Sequence, residues 1–206
     1  YLAELLSRNK IPTPETMVVH SGNQLEVAQQ LGFPCVLKKP DSAFSQGVIK
    51  VEDQQQLDTA LKTYLSESDL VVAQGFLPTT FDWRIGIIDR QPLFACKYYM
   101  AQGHWQIIKQ DAKGDDKYGR CETLPIEMAP PAAVKAALKA ANLIGDGLYG
   151  VDVKESDGKF YVIEVNDNPN IDSGTEDAFL KNDLYRRIMS VFLNRMQRRR
   201  VGFAVQ

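Results

Sequence analysis

The stretch that most constrains this chain is residues 150–170, GVDVKESDGKFYVIEVNDNPN. Val151 and Val153, then Tyr161, Ile163 and Val165, alternate with polar residues in the period-two pattern of a half-buried β-hairpin. Asp157-Gly158 at the tip is a dipeptide that tight hairpin turns favour. With the odd-numbered apolar residues on one face, residue 154 pairs with 160, and Asp152 lies opposite Val162 and diagonal to Glu164, with Asn166 two residues beyond. Two carboxylates on one face repel unless a cation lies between them, and all three side chains are hard oxygen donors that suit Mg2+ or Mn2+. A hairpin with a polar, solvated face gives the same pattern, and the spacing alone leaves both readings open.

A chain of 206 residues can bury a sizeable core as one large domain or two small ones. Hydrophobic residues at 44% and charged residues at 24% argue against disorder. The net charge of −2 gives no general attraction to nucleic acid or to an anionic membrane, and neither is expected as a partner. The basic run from Arg195 to Arg200 reads as favourable charge at a helix C-terminus. Cys35, Cys96 and Cys121 are odd in number and widely spaced, which suggests reduced thiols and a cytoplasmic location. No apolar run approaches the ~20 residues a membrane span needs. The chain starts within an amphipathic segment without an initiator Met, so it is expected to be a piece of a longer protein.

Leu2, Leu5 and Leu6 form a helical stripe stopped by Pro12 and Pro14. A strand at 15–19 follows, then a helix to Leu31 with Ser21 and Gln24 as a capping box and Gly32 as terminator, and strands at 34–39 and 47–51. Asp53 and Gln56 form a second capping box for a helix to about Leu65, and Leu70–Gln74 is an apolar strand. Gly75-Phe76-Leu77-Pro78 is a hinge that divides residues 1–75 from 76–206. Beyond it lie strands at 83–89 and 92–99 joined by a turn at Arg90-Gln91, and a further strand at 104–109. A polar surface loop at 111–122, a helix at 130–144, the hairpin and a last helix from Glu176 to Arg199 complete the chain. Phe179, Leu184, Ile188, Val191, Phe192 and Leu193 supply the buried side of that helix.

Several side chains outside the hairpin can carry chemistry. Lys38 and Lys39 are adjacent, so strand alternation turns one inward, where a lysine requires an anion. Lysines opposing edge-to-edge aggregation explain them equally well. The loop Asp41–Gly47 is rich in small polar residues, as a phosphate cradle or a plain connection would be. Asp82 and Arg84 point the same way on one strand, and Lys97 on the next can join them.

The order of these parts resembles the ATP-grasp superfamily, and within it the ribosomal-protein-S6-modification-enzyme-like and glutathione-synthetase-like carboxylate–amine ligases. IPTPET, FPCVLKKP, VVAQGFL, DWRIGIID, PLFACKYY and GVDV…YVIEVNDNPN carry the resemblance over nearly the whole chain. It implies an α+β, ATP-grasp fold of two α+β subdomains with ATP in the cleft between them: residues 1–75 with the strand lysine and phosphate loop, and 76–206 with the metal site. Asp152, Glu164 and Asn166 match metal ligands holding Mg2+ (or Mn2+) on the nucleotide phosphates. Lys38, or Lys39, matches the phosphate-reaching lysine, and Ser45, Gln46 and Gly47 the end of the phosphate loop. Gln74, Gly75, Phe76 and Leu77 match the adenine hinge, Asn168 a phosphate or acceptor contact, and Arg84 and Lys97 the basic residues near the γ-phosphate and acyl group. The implied activity is an ATP-dependent ligase that joins a small-molecule or peptide carboxylate to an amine through an acylphosphate. Loops 41–46 and 111–121 are then candidate lids, and the resemblance implies that the family's N-terminal domain is expected outside these 206 residues. The alternatives are a non-catalytic ATP-binding module or a phosphotransferase on the same scaffold. Homo-oligomerisation is left open.

Overall fold

The structure, a computed structural model, describes residues 1–40, 47–110 and 116–203. Helix α1 (Leu2–Arg8) opens the chain, and Lys10 turns it at φ 55° so that the Ile11 N–H returns to the Leu6 carbonyl at 3.0 Å. The first half continues with β1 (Thr16–Val19), α2 (Val27–Leu31), β2 (Cys35–Lys38), β3 (Val48–Val51), α3 (Gln54–Glu67) and β4 (Val71–Gly75). The second contains β5 (Phe81–Ile88), β6 (Gln91–Tyr99), β7 (Ile108–Gln110), β8 (Asp116–Tyr118), β9 (Cys121–Leu124), α4 (Pro131–Ile144), β10 (Leu148–Ser156), β11 (Lys159–Asn166) and α5 (Asn182–Phe203).

Two compact units result, Thr13–Pro78 with Tyr1, and Leu2–Pro12 with Thr79–Gln206. The division therefore falls at Pro78, and α1 belongs to the second unit although it precedes the first in sequence. The reason is packing: Leu6 and Ile11 are buried with Trp83, Ile85, Val151 and Val162, and the Val162 N–H bonds to the Pro12 carbonyl at 2.8 Å.

The first unit is a four-stranded antiparallel sheet in the order β1-β4-β2-β3, one face of which is covered by helix. Cys35 and Leu37 of β2 are fully buried with Val27 of α2 and with Leu57, Leu61 and Tyr64 of α3. Alternation then turns Val36 and Lys38 to the other face. Asp53 caps α3 by accepting the Gln56 N–H at 2.8 Å, as its spacing implies. The Ser21 box does not form. Asn23 takes that place instead, accepting the His20 N–H and donating to the Val18 carbonyl, and a 3₁₀ turn at Gln24–Glu26 leads into α2.

In the second unit a five-stranded antiparallel sheet runs β11-β10-β5-β6-β9, with β7 and β8 a separate ribbon. Ala133, Ala137, Ala140 and Ala141 form a small-residue stripe that brings α4 against Trp83, Ile85, Val151 and Val153 on one face. Leu184 and Ile188 of α5 pack with Phe94 and Cys96 on the other.

Four expectations need correction here. The β5–β6 turn is Asp89-Arg90, both at positive φ (50° and 63°) as a two-residue hairpin of right-handed twist requires, not Arg90-Gln91. The stretch expected as a loop at 111–122 carries β8 and the start of β9, with residues 111–115 outside the described set. The last helix starts at Asn182, because Glu176 and Asp177 are buried in turns, each accepting a backbone N–H. Of its expected apolar side, Leu184 and Ile188 are buried, whereas Phe179, Phe192 and Leu193 are exposed. Leu184→Ala should destabilise the second unit by about 2–5 kcal/mol through the cavity it leaves. A urea titration in which this variant unfolds with the wild type would show that α5 does not close that core.

Candidate functional site

The hairpin's register is set by a bulge. Val151 pairs with Val165 and Asp152 with Glu164, but Val153 pairs with Val162, leaving Ile163 as the extra residue. Asp152 thus stands directly opposite Glu164, not opposite Val162 with Glu164 diagonal as expected, because the tip pairs Ser156 with Lys159, which sets Lys154 against Tyr161 instead of residue 160, and the bulge adds a second place. Asp152 also pairs with Arg84, Arg84 with Cys96, and Cys96 with Thr123. Directly paired residues share a face. One row therefore crosses all five strands as Glu164, Asp152, Arg84, Cys96 and Thr123, and Asn166 follows on the same face opposite Gly150.

Like charges directly opposite on neighbouring strands destabilise a sheet. Arg84 offsets this by gripping Asp152 with two hydrogen bonds, Nε to Oδ1 and Nη2 to Oδ2, the latter 2.9 Å. Both side chains are only 14% exposed. Burial alone would lower the guanidinium's pKa, but the charge and hydrogen bonds of Asp152 outweigh it and hold the group above its ordinary range. The guanidinium lies 5.3 Å from the centre of the Tyr98 ring. The Tyr98 hydroxyl donates to the buried carboxylate of Glu176, whose second oxygen accepts the Asp172 N–H at 2.7 Å. Burial, with Glu176 behind it, keeps Tyr98 protonated. Further along this face, Lys154 donates to Asp82 at 2.6 Å and to Thr79 at 2.7 Å. Burial pushes the Asp82 carboxyl up against the pull of Lys154.

Asp152, Glu164 and Asn166 form an oxygen-only set of two opposed carboxylates and an amide, the chemistry of a hard divalent cation. The donor set fits such an ion. Among the described residues no group of three or more His, Cys, Asp or Glu gathers to hold a metal ion.

Lys97 does not join this group. It pairs with Trp83, a residue of the α4-covered core, and its ammonium lies over the rings of Phe81 and Trp83 at 5.3 and 5.1 Å. It stands on the opposite face from Arg84, since Cys96 and Tyr98 share one parity on β6 and Lys97 has the other. Tyr98, Glu176 and Gly150 were not singled out from sequence. The parity of β6 points to Tyr98 once Arg84 is placed opposite Cys96, while Glu176 lies in an irregular segment with no comparable signal.

In the first unit the two lysines separate. Lys39 donates to Glu67 at 2.5 Å and lies 4.9 Å from the Tyr64 ring, both on α3. Lys38 lies on the face that α2 and α3 leave uncovered and donates to Gln74 Oε1 at 2.7 Å. Gln74 in turn donates to the Thr16 hydroxyl at 2.9 Å. Lys50 on this face lies 5.1 Å from the Phe76 ring. The Gly75 N–H bonds to the Glu15 carbonyl at 2.9 Å and the Phe76 N–H to the Pro34 carbonyl at 3.4 Å, so these two hinge amides are engaged within the unit. Leu77 follows the end of β4, and Asn168 is exposed just past β11. Gly47 adopts φ 69° and its carbonyl accepts the Lys39 N–H at 3.0 Å. Ser45 and Gln46 lie outside the described residues.

The RimK-like ATP-grasp domain profile matches residues 2–191, and the chain belongs to that family. Its fold is the ATP-grasp fold. The chain is 29% identical over 167 residues to a D-alanine--D-alanine ligase of Methylacidiphilum infernorum, covering 80% of this chain and 53% of that protein. It is 26% identical over 179 residues to a probable alpha-L-glutamate ligase of Thioalkalivibrio sulfidiphilus, covering 85% and 56%. It thus spans about half the length of these relatives. Among solved structures, D-alanine--D-alanine ligase from Bacillus anthracis superposes with a TM-score of 0.74 at 22% identity, over 96% of this chain and 67% of that one. The same enzyme has been solved with ATP, at a TM-score of 0.63 over 84% and 56%.

Gly150 is the residue on which the Arg84 geometry turns. A Cβ there would fall 2.9 Å from Arg84 Cδ and 2.8 Å from Pro169 Cβ. Gly150→Ala should cost about 1–3 kcal/mol and push Arg84 off Asp152. Chemical denaturation checks this, and a variant as stable as the wild type would mean the guanidinium does not need that space.

Proposed function

We propose that this chain is the ATP-grasp part of a ligase that joins a carboxylate to an amine through an acylphosphate. The observation that carries the reading is the row of Arg84, Asp152 and Glu164, with Asn166 beside it, in a chain whose relatives include ligases of amino acids. Phosphoryl transfer asks for positioning and charge neutralisation more than for covalent protein chemistry, and this row offers both. ATP would phosphorylate the carboxylate, and the amine would then attack the activated carbonyl and release phosphate.

Asp152, Glu164 and Asn166 would hold Mg2+, which supplies charge neutralisation at the nucleotide phosphates when bound. Arg84, fixed by Asp152 and stacked on Tyr98, would meet negative charge as it develops at the transferred phosphoryl or the acyl oxygen. Lys38 is the better candidate for the phosphate lysine, because Lys39 is held by Glu67 and Tyr64 of α3. Gln74 to Leu77 would receive the base through groups other than the Gly75 and Phe76 amides. Ser45, Gln46 and Gly47 would cover the phosphates, and Asn168 would touch phosphate or acceptor. The acid and the amine would be amino acids or peptides. The free thiols of Cys35, Cys96 and Cys121 are consistent with a reducing, cytoplasmic setting.

Glu164→Gln keeps the size of the side chain and removes its charge. In the complete protein it should lower ATP-dependent amide formation about a hundredfold or more, equivalent to roughly 3 kcal/mol of transition-state stabilisation. The assay should follow phosphate release and amide product together over candidate acids and amines. Wild-type turnover by this variant would remove the metal assignment. A stable phosphorylated product in the wild type would indicate a phosphotransferase, and tight ATP binding without turnover would indicate a binding module.

A further inference from the structure

Strands β6 and β9 bring two thiols together on the face that carries Arg84. Cys96 pairs with Thr123 and Tyr98 with Cys121, so the thiols lie on the diagonal of one strand pair. The Thr123 hydroxyl is 3.3 Å from Cys96 Sγ and 3.9 Å from Cys121 Sγ. That hydroxyl donates to the Thr175 carbonyl at 2.5 Å, which leaves its oxygen to accept from a thiol. Each thiol also perturbs the other's protonation.

Their surroundings differ. Cys96 is fully buried, and its hydrogen bond to Cys121 together with burial keeps it protonated. Cys121 is half-exposed, and the hydrogen bond from Cys96 lowers its thiol below the ordinary value. Arg84 favours the Cys121 thiolate and Glu176 opposes it. Cys35, fully buried in the first unit's core and raised by that burial, provides an internal reference.

We propose that Cys121 and Cys96 form an oxidation-sensitive dithiol, with Cys121 as the peroxide-reactive thiol and Cys96 as the resolving one. The Cys121 sulfur attacks one oxygen of hydrogen peroxide, the O–O bond breaks, and the departing hydroxide takes up a proton to leave as water. Cys121 is then a sulfenic acid. The Cys96 sulfur then attacks the sulfenic sulfur and loses its proton. The S–O bond breaks, a second water leaves, and a Cys96–Cys121 disulfide remains. Two thiols are oxidised to one disulfide while one peroxide is reduced to two waters.

Diagonal neighbours on antiparallel strands stand at roughly 7 Å, the outer end of what a disulfide bridges. The pair therefore needs one strand to give. β9 is four residues long and lies at the sheet edge, paired among the described residues only with β6, so it is the strand that can shift.

The test treats the folded full chain with hydrogen peroxide, blocks remaining thiols at acid pH and maps all three cysteines by mass spectrometry. The expected product is a Cys96–Cys121 crosslinked peptide two hydrogens lighter than its reduced parts, reversed by dithiothreitol. Cys121 should be lost at least ~10-fold faster than Cys35. In Cys96→Ser, dimedone should trap a sulfenic acid at Cys121, and in Cys121→Ser, Cys96 should stay reduced under the same treatment. Loss of Cys121 no faster than Cys35, or oxidation of Cys121 without a link to Cys96, overturns the proposal. The wild-type map decides this even where a variant fails to fold, and it reads out thiols independently of any ligase activity.

Discussion

The grip of Arg84 on Asp152 is the interaction on which the second unit's polar face depends. The bulge at Ile163 sets Asp152 and Glu164 opposite each other, where unscreened like charges would weaken the strand pair. A bidentate guanidinium removes much of that penalty, and it is one of the stronger ion-pair geometries a protein has. The pair is nearly buried, so removing one partner alone would leave a stranded charge and cost about 3–5 kcal/mol. Its neighbours serve the same end: Gly150 leaves room for the arginine, Tyr98 lies against it, and Glu176 orients Tyr98 from an irregular segment. An arginine fixed in this way remains charged and oriented, which is what a site for an anionic reactant requires.

The first unit applies the same division of faces to a smaller sheet. Helices α2 and α3 take the apolar parity of β2, Cys35 and Leu37, so the adjacent lysines part company. Lys39 is absorbed by α3, and Lys38 is held by Gln74 and through it by Thr16.

Much of this was legible in the sequence because alternation survives into the sheet. The hairpin, its Asp157-Gly158 turn, the Asp53 cap and the separation of Lys38 from Lys39 follow from period and turn chemistry alone. The register did not: the two-residue tip sets Ser156 opposite Lys159 and Lys154 opposite Tyr161, and a bulge at Ile163, which leaves no compositional mark, adds one place more, so Glu164 rather than Val162 faces Asp152. Asp89-Arg90 holds two positive-φ residues without glycine, so the turn was read one residue late. Lys97 departs from its expected place because of a separate irregularity in β5–β6 pairing, between Gly86 and Ile87, which sets Arg84 opposite Cys96 and sends Lys97 to the core face with Trp83. Glu176 looked like a helix start, as acidic residues often are, but its carboxylate is engaged by Tyr98 and the Asp172 amide before any helix forms.

In the proposed function the row of Glu164, Asp152 and Arg84 receives nucleotide phosphate together with a divalent cation. Calorimetric titration of the complete protein with ATP, in the presence of Mg2+ and then with the metal chelated, tests it most directly. The prediction is saturable binding with Mg2+ that weakens at least ~10-fold without it, a difference of about 1.4 kcal/mol. Equal affinity in both conditions, or no ATP binding in either, would contradict it.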